Sequence, residues 1–177
     1  IDYIASENST TNLLWNLINY NKILETGSLN IWGALNNQKH IKEYSLNQNT
    51  WTPWGTGEFN SEEGNLPLSI KSIKPVDSAY ITECQFPKGR YVLEAIISGK
   101  LNVTGTTGGH ISLHGARKLL SFSSGTTYNS HRKYAVFDII DNKPFYISFG
   151  LGGWGTAEGE LILESLKLQR CEKSSAL

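Results

Sequence analysis

The segment Arg90-Tyr91-Val92-Leu93-Glu94-Ala95-Ile96-Ile97-Ser98 decides the fold. Tyr91, Leu93, Ala95 and Ile97 recur with the period of two that belongs to a β-strand, while Val92 and Ile96 flank Glu94 on the opposite face. A strand apolar on both faces belongs in the interior of a sheet. Phe145-Tyr146-Ile147-Ser148-Phe149-Gly150-Leu151 alternates more cleanly, with Phe145, Ile147, Phe149 and Leu151 opposite Tyr146 and Ser148. Asp141-Asn142-Lys143 just before it suits a tight turn, so this strand and its predecessor are expected to form an antiparallel hairpin.

Outward from these two, short alternating runs separated by Gly, Pro, Asn and Ser predict further strands at Leu66–Ile73, Ala79–Gln85, His110–His114, Arg117–Ser123, Arg132–Ile140, Pro144–Leu151 and Glu160–Gln169. Strands about every ten residues with no helical periods between them exclude a parallel α/β architecture. They predict an all-β fold, an antiparallel β-sandwich of the jelly-roll type. The first third reads differently. Thr10 or Thr11 can cap a helix carrying Leu13, Leu14, Leu17, Ile18 and Leu24, but the many Asn residues oppose it, and an entry strand fits equally. The expected organisation is one domain, with residues 1–35 an entry segment and 36–177 the sandwich.

Composition bounds the function. Sixteen basic side chains balance sixteen acidic ones, and the charged fraction is 18%, below the roughly 25% of ordinary domains. A duplex-binding protein needs a basic stripe, and His131-Arg132-Lys133 is too short to supply one, so no nucleic-acid partner is expected. Nor is a membrane span, since no apolar run approaches the ~18 residues required. The chain starts at Ile1 and contains no Met, the expectation being a piece excised from a larger protein. Cys84 and Cys171 fit either a disulfide or two buried thiols. Asn8-Ser9-Thr10 and Asn102-Val103-Thr104 match the N-glycosylation pattern.

Signatures of catalysis are missing from the sequence. Ser121-Phe122-Ser123-Ser124-Gly125 lacks the first Gly of a nucleophile elbow, and Gly105-Thr106-Thr107-Gly108-Gly109 leads into a strand rather than a phosphate-binding helix. His110 and His114 would chelate zinc on a helix. On a strand their backbones lie about 13 Å apart, too far for one ion, so no metal site is expected and His110, Ser112 and His114 form a polar face open to solvent or to ligand. Asp138, Glu94, Glu158, Glu160 and Glu164 lie in or beside strands without a pairing that would mark a glycosidase, and no catalytic residue is assigned.

The aromatic residues point elsewhere. Sugars offer flat C–H faces to Trp and Tyr rings and hydroxyls to neutral polar groups. Trp51 and Trp54 lie in Thr50-Trp51-Thr52-Pro53-Trp54-Gly55-Thr56-Gly57, whose Pro and Gly residues predict a loop, and Trp154 lies among the glycines of Gly150–Gly155. These three are the leading ligand candidates, Trp154 foremost. Tyr128, His131 and Arg132, read as part of a polar loop over Ser124–Arg132, can border the same groove, as can His110 and His114. Trp15 and Trp32 are read as packing residues.

Phe86-Pro87-Lys88-Gly89-Arg90-Tyr91-Val92-Leu93-Glu94-Ala95 resembles a strand of the jelly-roll carbohydrate-binding modules, with its Pro-Gly turn before Tyr and alternating apolar residues. Gly159-Glu160-Leu161-Ile162-Leu163-Glu164-Ser165-Leu166-Lys167-Leu168 resembles their closing strand, and Asn12-Leu13-Leu14 their opening. The resemblance implies a non-catalytic module that binds poly- or oligosaccharide outside the cell. Ser165 stands near the Asp that the family often has in its last strand, so a structural calcium is not indicated and no cofactor is expected. Similar sandwiches end bacteriophage tailspikes and fibres, which implies as alternatives a homotrimeric receptor-binding domain on a virion surface, or a small polysaccharide-acting hydrolase or lyase.

Overall fold

The computed structural model describes residues 42–116 and 118–171. The expectations for residues 1–35, including the N-terminal helix or strand, Trp15, Trp32 and the apolar surface on which a trimer would rest, lie outside the described residues.

Eleven strands are present among the described residues: β1 (Lys42–Ser45), β2 (Thr52–Trp54), β3 (Glu58–Glu62), β4 (Asn65–Val76), β5 (Ser78–Cys84), β6 (Gly89–Gly105), β7 (Gly109–Leu113), β8 (Lys118–Phe122), β9 (Thr127–Ile139), β10 (Phe145–Leu151) and β11 (Ala157–Cys171). They form two antiparallel sheets. The first runs β3-β4-β11-β6-β9, with β1 also on β11, and the second runs β2-β5-β10-β7-β8. Stripped of β1, β2 and β3, the orders are β4-β11-β6-β9 and β5-β10-β7-β8. Eight strands in these orders, crossing between the sheets at every step except the β7–β8 hairpin, make the jelly roll expected from the sequence.

The inward faces meet in one core. Leu161, Leu163, Leu93, Ala95 and Ile97 from the first sheet and Tyr80, Ile111, Leu113, Ile147 and Phe149 from the second are buried in a single cluster. Rings fill its flank: Phe86 lies 6.0 Å from Phe145, and Tyr91 stacks on Phe137 at 5.8 Å. Burial pushes the Tyr91 hydroxyl up to about 12, and the same hydroxyl donates to the Pro87 carbonyl at 2.6 Å. A tyrosine that finds a backbone acceptor at the sheet end lets a large ring be buried without orphaning its oxygen.

The sequence reading is corrected at two places. The turn at Asp141–Lys143 does not close a hairpin, because β9 pairs with β6 in one sheet and β10 with β5 and β7 in the other. Each of the two strands has one apolar face, and crossing between the sheets at Pro144 lets both faces meet the same core. β9 also begins at Thr127, five residues before the expected start, so Tyr128, His131 and Arg132 are strand residues rather than loop residues. The double-sided apolar β6 does lie inside its sheet, between β11 and β9, and Val92 on its outer face is fully buried. The Cys84 thiol is buried, faces the Phe145 carbonyl at 3.6 Å and is pushed up to about 12, first by burial and then by the neighbouring Glu83 charge. The Cys171 side chain, its partner in the disulfide alternative, lies outside the described residues.

Phe149→Ala removes a fully buried ring from the central strand of the second sheet. It should cost ~3–5 kcal/mol of stability in urea denaturation, the range for aromatic-to-alanine changes in a close-packed core.

Candidate functional site

Strand parity builds the site. With Phe145, Ile147, Phe149 and Leu151 of β10 turned into the core, Tyr146, Ser148 and Gly150 must face outward. The register then sets their neighbours in rows. Gly150 stands between Ala79 of β5 and His110 of β7, with Trp54 of β2 beyond Ala79 and Ser121 of β8 beyond His110. Ser148 stands between Ile81 and Ser112, with Thr52 and Leu119 at the ends of that row. Tyr146 stands beside Glu83, and its carbonyl accepts the His114 amide at 2.9 Å. The outer face of the second sheet thus carries aromatic, hydroxyl and imidazole groups in three rows.

Two clefts indent this face. One of about 600 Å³ is lined by Asn49, Thr50, Thr52, Pro53, Trp54, Ile81, Thr82, Glu83 and Tyr146. Trp54 keeps 54% of its surface exposed and Tyr146 50%, so both rings are available to a ligand. The Tyr146 hydroxyl bonds to the Glu83 carboxylate, which together with the Glu83 charge raises the phenol above its ordinary pKa. The second cleft, of about 400 Å³, lies where β7, β8 and the β10–β11 loop meet, with His110, Ser121, Gly152 and Gly153 on its wall.

Between the clefts, Ser148 Oγ stands 3.0 Å from His114 Nε2 and 3.4 Å from His110 Nε2. Both rings can therefore share one hydroxyl although their backbones lie far apart. His110 retains only 6% exposure, and burial pulls its imidazole below the usual range while the Asp77 carboxylate opposes the shift. At neutral pH it presents a neutral ring. Among the described residues no group of three or more His, Cys, Asp or Glu side chains is arranged to hold a metal.

Trp154 follows Gly153, which lines the second cleft. It is 79% exposed and has φ 59°, a left-handed conformation that costs a side-chain-bearing residue of order 1–3 kcal/mol. The surrounding loop is tied down at several points. Gly152 N donates to the Gly108 carbonyl at 2.8 Å, Gly153 N to Asp77 Oδ1 at 3.0 Å and Thr156 N to Thr106 Oγ1 at 3.0 Å. Gly153 must lack a side chain, because a Cβ there would sit 2.8 Å from His110 Nδ1. The loop holds an exposed indole one residue from the cleft wall.

Of the residues singled out from the sequence, Trp54, His110 and His114 lie on this face, and Trp154 is exposed on the loop that follows Gly153 of the second cleft. Trp51 does not. It is 2% exposed, its indole N–H donates to the Leu46 carbonyl at 3.4 Å, and it packs in the core. Three residues separate it from Trp54, and an odd separation on extended chain puts two side chains on opposite faces. Tyr128 packs against Phe122 at 5.7 Å and His131 at 5.5 Å, and its hydroxyl accepts the Ser123 amide at 2.7 Å, so it supports the rim of the second cleft from behind. Arg132 lies on the outer face of the other sheet, beside Tyr134 and away from both clefts. Tyr146, Ser148 and Glu83 were missed as site residues, although the alternation of β10 carries the signal for the first two.

No family model and no curated protein sequence matches the chain. Among solved structures it is similar to the second N-terminal cellulose-binding domain of β-1,4-glucanase C from Cellulomonas fimi, with a TM-score of 0.46 and 16% identity over 76% of this chain and 94% of that one. It is similar also to the C-terminal CBM6 of the marine laminarinase LamC from Zobellia galactanivorans, with a TM-score of 0.43 and 14% identity over 74% of this chain and all of that one. A third is a carbohydrate-binding module of lichenase 5A from Cellvibrio mixtus in complex with cellotriose, with a TM-score of 0.43 and 10% identity over 74% of this chain and 98% of that one. The jelly-roll assignment rests on this chain's own strand order.

Two outcomes are expected from this geometry. Trp51→Ala should lose ~3–5 kcal/mol in urea denaturation, whereas Trp54→Ala should change stability by less than ~1 kcal/mol. The lowered His110 pKa predicts that its contribution to stability is complete above the ordinary histidine value of 6.5 and declines as pH falls from there toward the folded-state value, because the unfolded chain takes up the proton first. Denaturation midpoints measured from pH 7.5 to 5 should fall more steeply in the wild type than in His110→Gln.

Proposed function

We propose that the domain is a non-catalytic polysaccharide-binding module that lays a glycan chain across the outer face of the β2-β5-β10-β7-β8 sheet. One observation carries this reading: two half-exposed rings, Trp54 and Tyr146, share an open cleft with Asn49, Thr50 and Thr52. Indole and phenol faces stack on the C–H faces of pyranoses, and the neutral polar groups between them pair with sugar hydroxyls. Two strand spacings and four residues separate Trp54 from Tyr146, which by sheet geometry puts their Cα atoms about 16 Å apart. Such a span takes several consecutive sugar units, with Trp154 a further contact at the far end. Binding is placed outside the cell, where polysaccharide is met as a polymer.

A glycan array probed with the purified domain, followed by titration of a hit with tryptophan emission as the readout, tests the proposal. Trp54→Ala and Tyr146→Ala should each weaken binding by ~1–3 kcal/mol, and Trp154→Ala by a similar amount with its melting temperature within a few degrees of wild type. Binding should persist in EDTA. A silent array, or affinity unmoved by all three substitutions, would remove the sheet face from consideration.

A further inference from the structure

The charge of the larger cleft is one-sided although the chain as a whole carries no net charge. Among the described residues no Lys or Arg lines either cleft. Glu83 is the acidic residue in the larger cleft, directly beside Tyr146 in the strand register, and its charge is felt by the Tyr146 phenol and by the Cys84 thiol next to it in the chain. In the smaller cleft His110 is the ionisable residue, and the carboxylate that acts on it is Asp77, which holds the Trp154 loop through Gly153. The smaller cleft has a cation behind its wall, where Lys133 lies against the Phe122 ring at 5.1 Å and donates to the Ser121 carbonyl, so the one-sided charge belongs to the larger cleft. A ligand in the larger cleft therefore meets the Glu83 carboxylate and aromatic rings, with no Lys or Arg among the residues lining that cleft to offset it.

Given that the face binds glycans, we infer that it selects them by charge: it takes chains bearing free amino groups ahead of neutral chains of the same linkage and rejects uronic-acid or sulfated chains, with Glu83 as the group that reads the charge. An ammonium on the sugar gains both the Glu83 carboxylate and the face of the adjacent Tyr146 ring. A glycan carboxylate or sulfate meets like charge with no basic side chain to relieve it. A neutral glycan uses Glu83 only as a hydrogen-bond acceptor.

The test is an array holding neutral, amino-bearing and acid-bearing members of several backbone linkages, probed with wild type, Glu83→Gln and, as a distant-carboxylate control, Glu62→Gln. Glucosamine hexamer and cellohexaose are then titrated at pH 6 in low salt. The amino-bearing members should bind about tenfold more tightly than their neutral counterparts, and the acid-bearing ones should be blank. The preference should shrink to about twofold in Glu83→Gln and at 0.5 M salt, and should be unchanged in Glu62→Gln. Equal binding of amino-bearing and neutral glycans, or an unchanged preference in Glu83→Gln, overturns the charge inference while leaving the glycan face in place. A blank array overturns both.

Discussion

The alternation of β10 is the constraint on which the rest of the molecule depends. This central strand sends Phe145, Ile147, Phe149 and Leu151 into the core and Tyr146, Ser148 and Gly150 to the outer face. A slip of one residue would expose two phenylalanines and bury a tyrosine and a serine, so burial of the ring pair fixes the register and the register fixes the site. Gly150 tightens the constraint further. A Cβ there would stand 2.2 Å from the Ser78 carbonyl, so the close approach of β10 to β5 requires glycine. Core and site are two faces of one strand rather than separate parts of the fold.

Parity also explains what was legible in the sequence. The strands with clean alternation, β4, β5, β8, β10 and β11, are visible from residue pattern alone because each must bury one face and present the other, and β6 is visible because it is apolar on both. The hairpin expected at Asp141–Lys143 was not legible, since a short polar turn serves equally for pairing within a sheet and for crossing between sheets. Only the partners of β9 and β10, which are far away in the sequence, decide between the two. Reading Thr50–Gly57 as a loop hid the difference between Trp51 and Trp54. Its Pro53 suggests irregular chain, yet proline is compatible with an edge strand, and β2 is one. Once Thr52–Trp54 is strand, the two indoles must face opposite ways.

The outer-face residues that the sequence pattern hides have the same origin. Tyr146 looks like a minor interruption of an apolar run, and Glu83 like an ordinary surface carboxylate. Their meaning comes from the antiparallel register that sets them side by side and places Trp54 on the neighbouring edge strand. Pairing across sixty residues of chain is invisible to local pattern. Conversely, Tyr128 and Arg132 look like ligand groups because polar aromatic segments often are. The first is held by Phe122 and the Ser123 backbone, and the second belongs to the other sheet.

The division of labour between the two faces has a consequence for how such a domain can change. Stability resides in the inward residues and in the glycines where strands approach closely, while Trp54, Glu83 and Tyr146 are exposed and make few contacts that folding needs. Substitutions at these outer positions alter ring stacking or local charge at little cost to the core, since surface changes away from special features stay within about 0.5 kcal/mol. The second cleft is built differently. His110 is buried, Trp154 adopts a left-handed backbone, and both depend on Gly153 and on the Asp77 anchor. The charge and rings at Glu83, Trp54 and Tyr146 are therefore free to drift with single substitutions, whereas the Trp154 loop must stay intact to keep its ring in place.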